Sequence, residues 1–289
     1  MGETTLLDLT IDISFKYFFT SSGSEEVLAH FLSAALEMHV NEFLEIEVLN
    51  PILSKENIND KDFIVDIKIK TKNEKHIHVE MQLQDHENFS SRIAAYNGRI
   101  FGSQIKRGDE YTKLKEVYSI VITNFDMFPK TPYYRDIFKY KGMYGDILTD
   151  LTQIHILQLP KLPKEARTTL EYWLKLFKVK KEEELKMILE KAPEMDKAVK
   201  HLRVLSADEE AKQLEEERIS GISLRKTLLG TARREGREEG REEGREEGMR
   251  EGMVLGMKEG IQKGAENIAK LMKQGHSLEE ALEKVLANK

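Results

Sequence analysis

The chain has 289 residues, enough for one good-sized domain with appendages or for two domains, and its 40% hydrophobic content supports a proper core. A net charge of -6 argues against a general polyanion binder, so any nucleic-acid partner must be met by a local basic surface; the absence of cysteine excludes disulfides and thiolate metal sites and fits a reducing cytoplasm. The N-terminus has no basic segment followed by an apolar stretch, and no apolar run approaches the roughly 20 residues needed to span a bilayer, so no membrane partner is expected.

Three zones follow along the chain. Residues 1–160 mix helical and strand periodicities. The segments IDISFKYFF and SEEVLAHFLSAALEMH read as helices; in the second, Val27, Leu28, Phe31, Leu32, Ala35 and Leu36 recur at helical spacing behind Ser24 as N-cap. Three strand segments come next, FLEIEVLN, DFIVDIKIK and HIHVEMQLQ, then a long helix over residues 89–108 and an apolar strand, EVYSIVITNF. YYRDIFKY and QIHILQL add further strand candidates. The order helix, three strands, helix, strand is an α/β pattern. Pro160 and Pro163 then mark a stop, and residues 161–229 read as helical, with Trp173, Leu174, Leu176 and Phe177 as the apolar face of the first helix.

The low-complexity segment, residues 230–264, places glycine at 236, 240, 244, 248, 252, 256, 260 and 264. Each glycine inside a helix costs about 1 kcal/mol relative to alanine, so eight oppose a lone helix by roughly 8 kcal/mol. Arginines at 237, 241 and 245 also stand four apart, a repulsive spacing that Glu238 and Glu242 offset only in part. The segment therefore reads as a solvated, semi-flexible linker, or as a helix firmed up by packing against a copy of itself. Residues 265–289 carry two short helices, with Gly275 ending the first and Ser277 with Glu280 forming a capping box for the second.

Residues 62–84 carry the chemistry. In DFIVDIKIK, Phe63, Val65, Ile67 and Ile69 share one face and Asp66, Lys68 and Lys70 the other; in HIHVEMQLQ, Ile77, Val79, Met81 and Leu83 oppose His78, Glu80, Gln82 and Gln84. A short polar link, residues 71–75, makes the two a hairpin. Pairing 66 with 80 centres the turn on Asn73 and puts both apolar rows on one side, whereas a one-residue slip exposes a whole row. Asp66 and Glu80 are then neighbours, with Gln82 next along the strand. Adjacent carboxylates repel unless a cation lies between them, and hard oxygen donors suit Mg²⁺. The competing reading is a water-facing polar row in which the two acids meet by chance.

Asp66 followed by Glu80-Met81-Gln82 resembles the D-(gap)-E-x-K/Q core of PD-(D/E)XK nucleases. More closely, the chain resembles the recombination-promoting nuclease (Rpn), or transposase, family of that superfamily. The blocks that carry the likeness are Asp12-Ile-Ser-Phe15-Lys16-Tyr-Phe18, Val79-Glu80-Met81-Gln82 and Arg92-Ile-Ala-Ala-Tyr96, over roughly residues 8–160, with a glycine- and glutamate-rich tail of the family's style. The resemblance implies an αβββαβ core with a helical C-terminal extension, cutting DNA with Mg²⁺ or with Mn²⁺ in its place. It implies Asp66, Glu80 and the Met81 carbonyl as metal ligands and Gln82 as the water-positioning residue. Gln82 stands where many relatives have lysine; a neutral amide can orient water but cannot offset developing charge. Position 65 is valine where the motif has proline.

Arg92, Arg99 and Lys106 repeat every seven residues with Tyr96 and Ser103 between, a stripe able to follow a DNA backbone or simply to face solvent. Arg92 and Tyr96 also match the family pattern. Asp12 and Lys16, one helical turn apart, are placed to reach the site, although Asp12 is equally explained as a first-turn acid. His76, His78 and His86 raise a rival His-x-His-x-Glu site suited to zinc or iron, which nothing else in the chain completes. No phosphate-cradling GxxxxGK[ST] loop and no GxSxG elbow occurs. Beside the endonuclease reading stand two others. One is a catalytically quiet DNA-binding module; the other is an assembly protein that forms homo-oligomers through its helical C-terminal region.

Overall fold

The computed structural model describes residues 5–49, 52–53, 63–64, 66–85 and 88–287. Val65 and His86, singled out in the sequence, lie outside the described residues. The chain forms two compact units, Met1–Gly221 and Ile222–Lys289.

The first unit opens with two helices, α1 (Asp12–Thr20) and α2 (Glu25–Leu36), followed by β1 (Ile46–Leu49). Ser24 precedes α2 as expected but does not cap it; its hydroxyl donates to the Phe19 carbonyl at 2.8 Å and ties the end of α1 to the start of α2. FLEIEVLN becomes a strand only from Ile46, because Phe43 is buried in a 3₁₀ turn, Val40–Phe43, against the core. Short β2 (Ile52–Leu53) and β3 (Phe63–Ile64) pair with each other apart from the main sheet. DFIVDIKIK is therefore not one strand. It breaks at Asp66, whose carboxylate accepts the Met81 backbone N–H at 2.7 Å, and main-sheet pairing begins one residue later. A side chain that takes a backbone hydrogen bond in this way competes with the regular strand ladder.

The hairpin β4 (Ile67–Thr71) and β5 (His76–Gln82) pairs Ile67 with Val79, Lys68 with His78, Ile69 with Ile77 and Lys70 with His76. One step further along that register sets Asp66 against Glu80, as the apolar pattern requires. Helix α3 (Phe89–Gly102) crosses back and β6 (Val117–Thr123) enters parallel to β5, every residue of it buried. Strands β7 (Arg135–Lys141) and β8 (Ile147–Gln158) complete a six-stranded mixed sheet, ordered β1-β4-β5-β6-β8-β7. The α3 helix stops six residues short of its expected end. Gly108 takes φ +93°, and the Asp109 carboxylate accepts the Lys106 amide, so Lys106 sits in a turn and leaves the Arg92–Arg99 face.

Helices cover both sheet faces. On one, α1 and α2 pack with α4 (Thr169–Leu176), α5 (Glu182–Lys191) and α6 (Asp196–Ser206) around Ile67, Ile69, Ile77, Val79 and Met81. Phe15, Phe18, Phe19, Phe31, Trp173 and Phe177 are all fully buried there, and Phe15–Phe19, Phe18–Phe19 and Phe31–Trp173 meet edge to face at 4.9–5.5 Å. Each such pair adds about 0.5–1.5 kcal/mol beyond area burial. The helices after Pro163 thus share one core with the N-terminal helices. On the other face, α3 lies over β6 and β8 through Phe89, Ile93 and Ile100.

Helix α7 (Glu209–Lys273) begins in this unit, where Ala211 is buried. In the second unit α7 continues through the glycine-rich segment, and α8 (Leu278–Ala287) follows. The linker expectation for residues 230–264 is replaced by a helix. A helix already nucleated gains one hydrogen bond per added residue, which offsets much of the glycine cost. Gly275, at φ +97°, ends α7, and the Ser277–Glu280 capping box forms in both directions. A Cβ added at Gly240, Gly244 or Gly248 meets nothing within 4 Å. Replacing all three with alanine in the full chain is expected to stabilise the segment by about 1 kcal/mol per site. Far-UV circular dichroism should show more helix and a later loss of it on heating; an unchanged signal would refute a helix limited by its glycines.

Candidate nuclease site on the β4–β5 hairpin and helix α3

The polar row of β5 does not face water. His78 is fully buried and Glu80 only 5% exposed, because α3 lies across them. Arg92, in the first turn of α3, reaches down to β5, where one Nη2 donates to Glu80 Oε1 at 2.6 Å and to Gln82 Oε1 at 2.8 Å. The guanidinium lies over the Phe89 ring at 5.0 Å and the Tyr96 ring at 5.9 Å, so α3 holds it by stacking from both sides. The Gln82 amide is used at both ends, since its Nε2 donates to the Gln84 carbonyl at 2.9 Å. Glu80 Oε2 is buried and has no hydrogen-bond partner among the described residues.

Asp66 is half-buried at the head of β4. Its carboxyl is pushed up to about 8, first by burial and then by the charge of Glu80; the Met81 N–H bond and Lys16 pull the other way. Glu80 is also raised by burial, which the neighbouring Arg92 only partly offsets. A buried carboxylate that is not matched by a cation holds its proton. Asp12 also raises Asp66, and α1, which it opens, packs against β4 and β5. Asp12 is a first-turn residue whose carboxylate accepts its neighbour's amide, from Ile13, at 2.9 Å and is also clasped by Arg218 of α7. Of the sequence-predicted residues, Arg92 is brought onto Glu80 and Gln82 with Tyr96 against it, and Asp66 onto the Met81 backbone, while Asp12 and Lys16 act on Asp66 through their charge. Arg99 lies two turns along α3, half-buried.

Two further residues join the site. Asn97 is buried on α3, where its Nδ2 donates to Ser119 Oγ at 2.8 Å and its Oδ1 accepts from Thr152 Oγ1 at 2.5 Å; Ser119 also meets His78 Nδ1 at 2.9 Å. This chain stitches α3 to β5, β6 and β8. Its signal was present in the sequence as a polar residue in the stripe Phe89, Ile93, Asn97, Ile100 that is otherwise apolar. Arg218 had no comparable signal, because nothing in a helical periodicity shows that it meets Asp12.

The His-x-His-x-Glu alternative gains no support. His78 turns to Ser119 and is lowered to about 4 by burial, and no group of three or more His, Cys, Asp or Glu able to hold a metal ion occurs among the described residues. The donors that do fit a hard divalent cation are the paired carboxylates, with an unpartnered Glu80 oxygen and a proton on Asp66 for it to displace. A cavity of about 890 Å³ is lined by Leu6, Lys180, Glu183 and Arg203 among others and by none of these groups. Among the described residues no helix is long and apolar enough to cross a membrane.

A carboxyl raised in the folded state favours folding below its unfolded value and loses that contribution as pH climbs through the folded one. In EDTA, wild-type stability against urea should therefore fall from about pH 4 toward pH 8 through Asp66, and Asp66→Asn should flatten that decline. Parallel curves for the two proteins would show that Asp66 is ionised throughout.

A family model described as PD-(D/E)XK nuclease family transposase matches residues 9–226. No curated protein and no solved structure matches the chain. That span includes the sheet, both carboxylates, Arg92 and the start of α7. The chain belongs to the PD-(D/E)XK nuclease family transposases.

Proposed function

We propose that the chain is a Mg²⁺-dependent DNA endonuclease serving recombination, transposition or defence, with Mn²⁺ able to replace Mg²⁺. The observation that carries this reading is the pair of half-buried Asp66 and buried Glu80, both raised by desolvation and with one Glu80 oxygen unsatisfied. Asp66, Glu80 Oε2 and the Met81 carbonyl would hold the ion. When bound, such an ion lowers the pKa of a water and neutralises charge on the scissile phosphate.

The remaining work falls to the chain. Glu80 keeps Arg92 on its other oxygen, so the carboxylate serves an ion and a guanidinium at once. Arg92, stacked by Phe89 and Tyr96, presents its remaining N–H groups to a phosphodiester oxygen at little entropic cost. Gln82 fixes Arg92 through Oε1, and the second lone pair of that oxygen orients the attacking water. A neutral residue here leaves charge neutralisation to Arg92.

Nicking of supercoiled plasmid is expected in Mg²⁺ or Mn²⁺, to stop with EDTA, and to fall by at least about 100-fold in Asp66→Ala or Glu80→Ala. Cleavage undiminished in both variants would remove the assignment. DNA binding without cleavage across several metals would favour the quiet binding module. Mg²⁺ binding at pH 7 should also release about one proton per ion, mostly from Asp66, in calorimetry across buffers of different ionisation enthalpy.

We further propose that the helical C-terminal region joins copies of the chain. Met249, Met253, Met257 and Ile261 follow one another every four residues along α7, each about 70% exposed. Truncation after Leu229 should lower the mass in solution; an unchanged mass would end this reading.

A further inference from the structure

A second arginine is held near the hairpin, where α7 meets α1, the helix that packs against β4 and β5. The first turns of α7 grip the start of α1. Glu215 Oε1 accepts the Asp8 amide at 2.6 Å and the Ser14 hydroxyl at 3.1 Å, and three residues on, Arg218 meets Asp12. The contact is bidentate from the side of the guanidinium. Nε donates to Asp12 Oδ1 at 2.7 Å and Nη2 to Oδ2. Arg218 is raised first by its hydrogen bonds to Asp12 and last by the charge of Asp66, in keeping with the packing of α1 on β4 and β5.

The arrangement exceeds what a helix-docking ion pair needs. Arg218 is 48% exposed. Its outer edge, both N–H groups of Nη1 and the second of Nη2, has no partner among the described residues. Asp12 thus fixes the plane of the guanidinium and leaves open the edge that a phosphate accepts in forked geometry. Arg92 is held too, by Glu80, Gln82 and two rings. A phosphodiester strand that reaches the hairpin carboxylates and passes the start of α1 would then meet two clamped arginines.

We propose that Arg218 is a phosphate-contacting residue of the site, holding the nucleic-acid backbone where α7 meets α1. The proposal rests on the nuclease reading above and extends the site to a helix outside the sheet core.

The test is binding of a short labelled DNA duplex by the full-length protein in Ca²⁺, followed by fluorescence anisotropy between about 50 and 200 mM KCl. Each phosphate contact contributes about 0.9 to the slope of log affinity against log salt. Arg218→Gln should lower the slope by about that amount, and Arg218→Lys should keep it. Asp12→Asn frees the guanidinium but retains the cation, so it should lower the slope by less than Arg218→Gln does. Lys72→Gln, which removes a charge at the far turn of the β4–β5 hairpin, is the control and should change nothing. A slope unchanged in Arg218→Gln overturns the proposal. So does an equal drop in Arg218→Gln and Asp12→Asn, which would make the ion pair a structural clasp; because Asp12→Asn keeps the arginine, this comparison holds even if loss of Arg218 perturbs folding. Wild-type protein that binds no duplex and nicks no plasmid would defeat the nuclease reading itself, whereas nicking with an unaltered slope defeats only the role of Arg218.

Discussion

Everything at the site depends on the register of β4 against β5. Ile67 against Val79 and Ile69 against Ile77 bury four apolar side chains on the aromatic core under α1 and α2. A slip of one residue would turn that row toward α3 and bring lysines and histidines into the core. The same register places Asp66 across from Glu80, so hydrophobic burial on one face sets the spacing of charge on the other. Chemistry is positioned here by a force that does not act on the chemical groups themselves.

Burying acids in this way carries a cost, and the structure shows how it is limited. Glu80 keeps a single charged partner, Arg92, and Asp66 a backbone N–H. Neither is fully compensated, which is why both are raised. In a wholly structural role such a pair is readily replaced by apolar residues, often without loss of stability. Its presence beneath a helix that also supplies an arginine fits a site built to receive a cation and an anion together.

Helix α3 acts as both lid and lever. Phe89, Ile93 and Ile100 bury it against β6 and β8, while Asn97 locks its rotation through Ser119 and Thr152. Hydrophobic contacts alone allow a helix to slide or roll by small amounts; a buried amide satisfied at both ends does not. Fixing α3 in this way fixes Arg92 over Glu80. The α1–α7 contact fixes a second helix against the hairpin, where Glu215 and Arg218 hold the start of α1.

The sequence alone determined the hairpin and its register, because period-two alternation and a short polar turn are local properties that leave one pairing. It also determined the order of helices and strands in the nuclease core, and the capping box at Ser277. Tertiary structure decided what lies over each face. The row His78, Glu80, Gln82 reads the same whether water or a helix covers it, and only the packing of α3 makes Glu80 a buried acid. It decided that the helices after Pro163 share a core with α1 and α2, since an apolar stripe does not name its partner. It brought Arg218 to Asp12 across 206 positions of sequence. Side-chain pairing at that separation leaves no periodic trace, because it depends on where two helices end up in space and not on the spacing within either one.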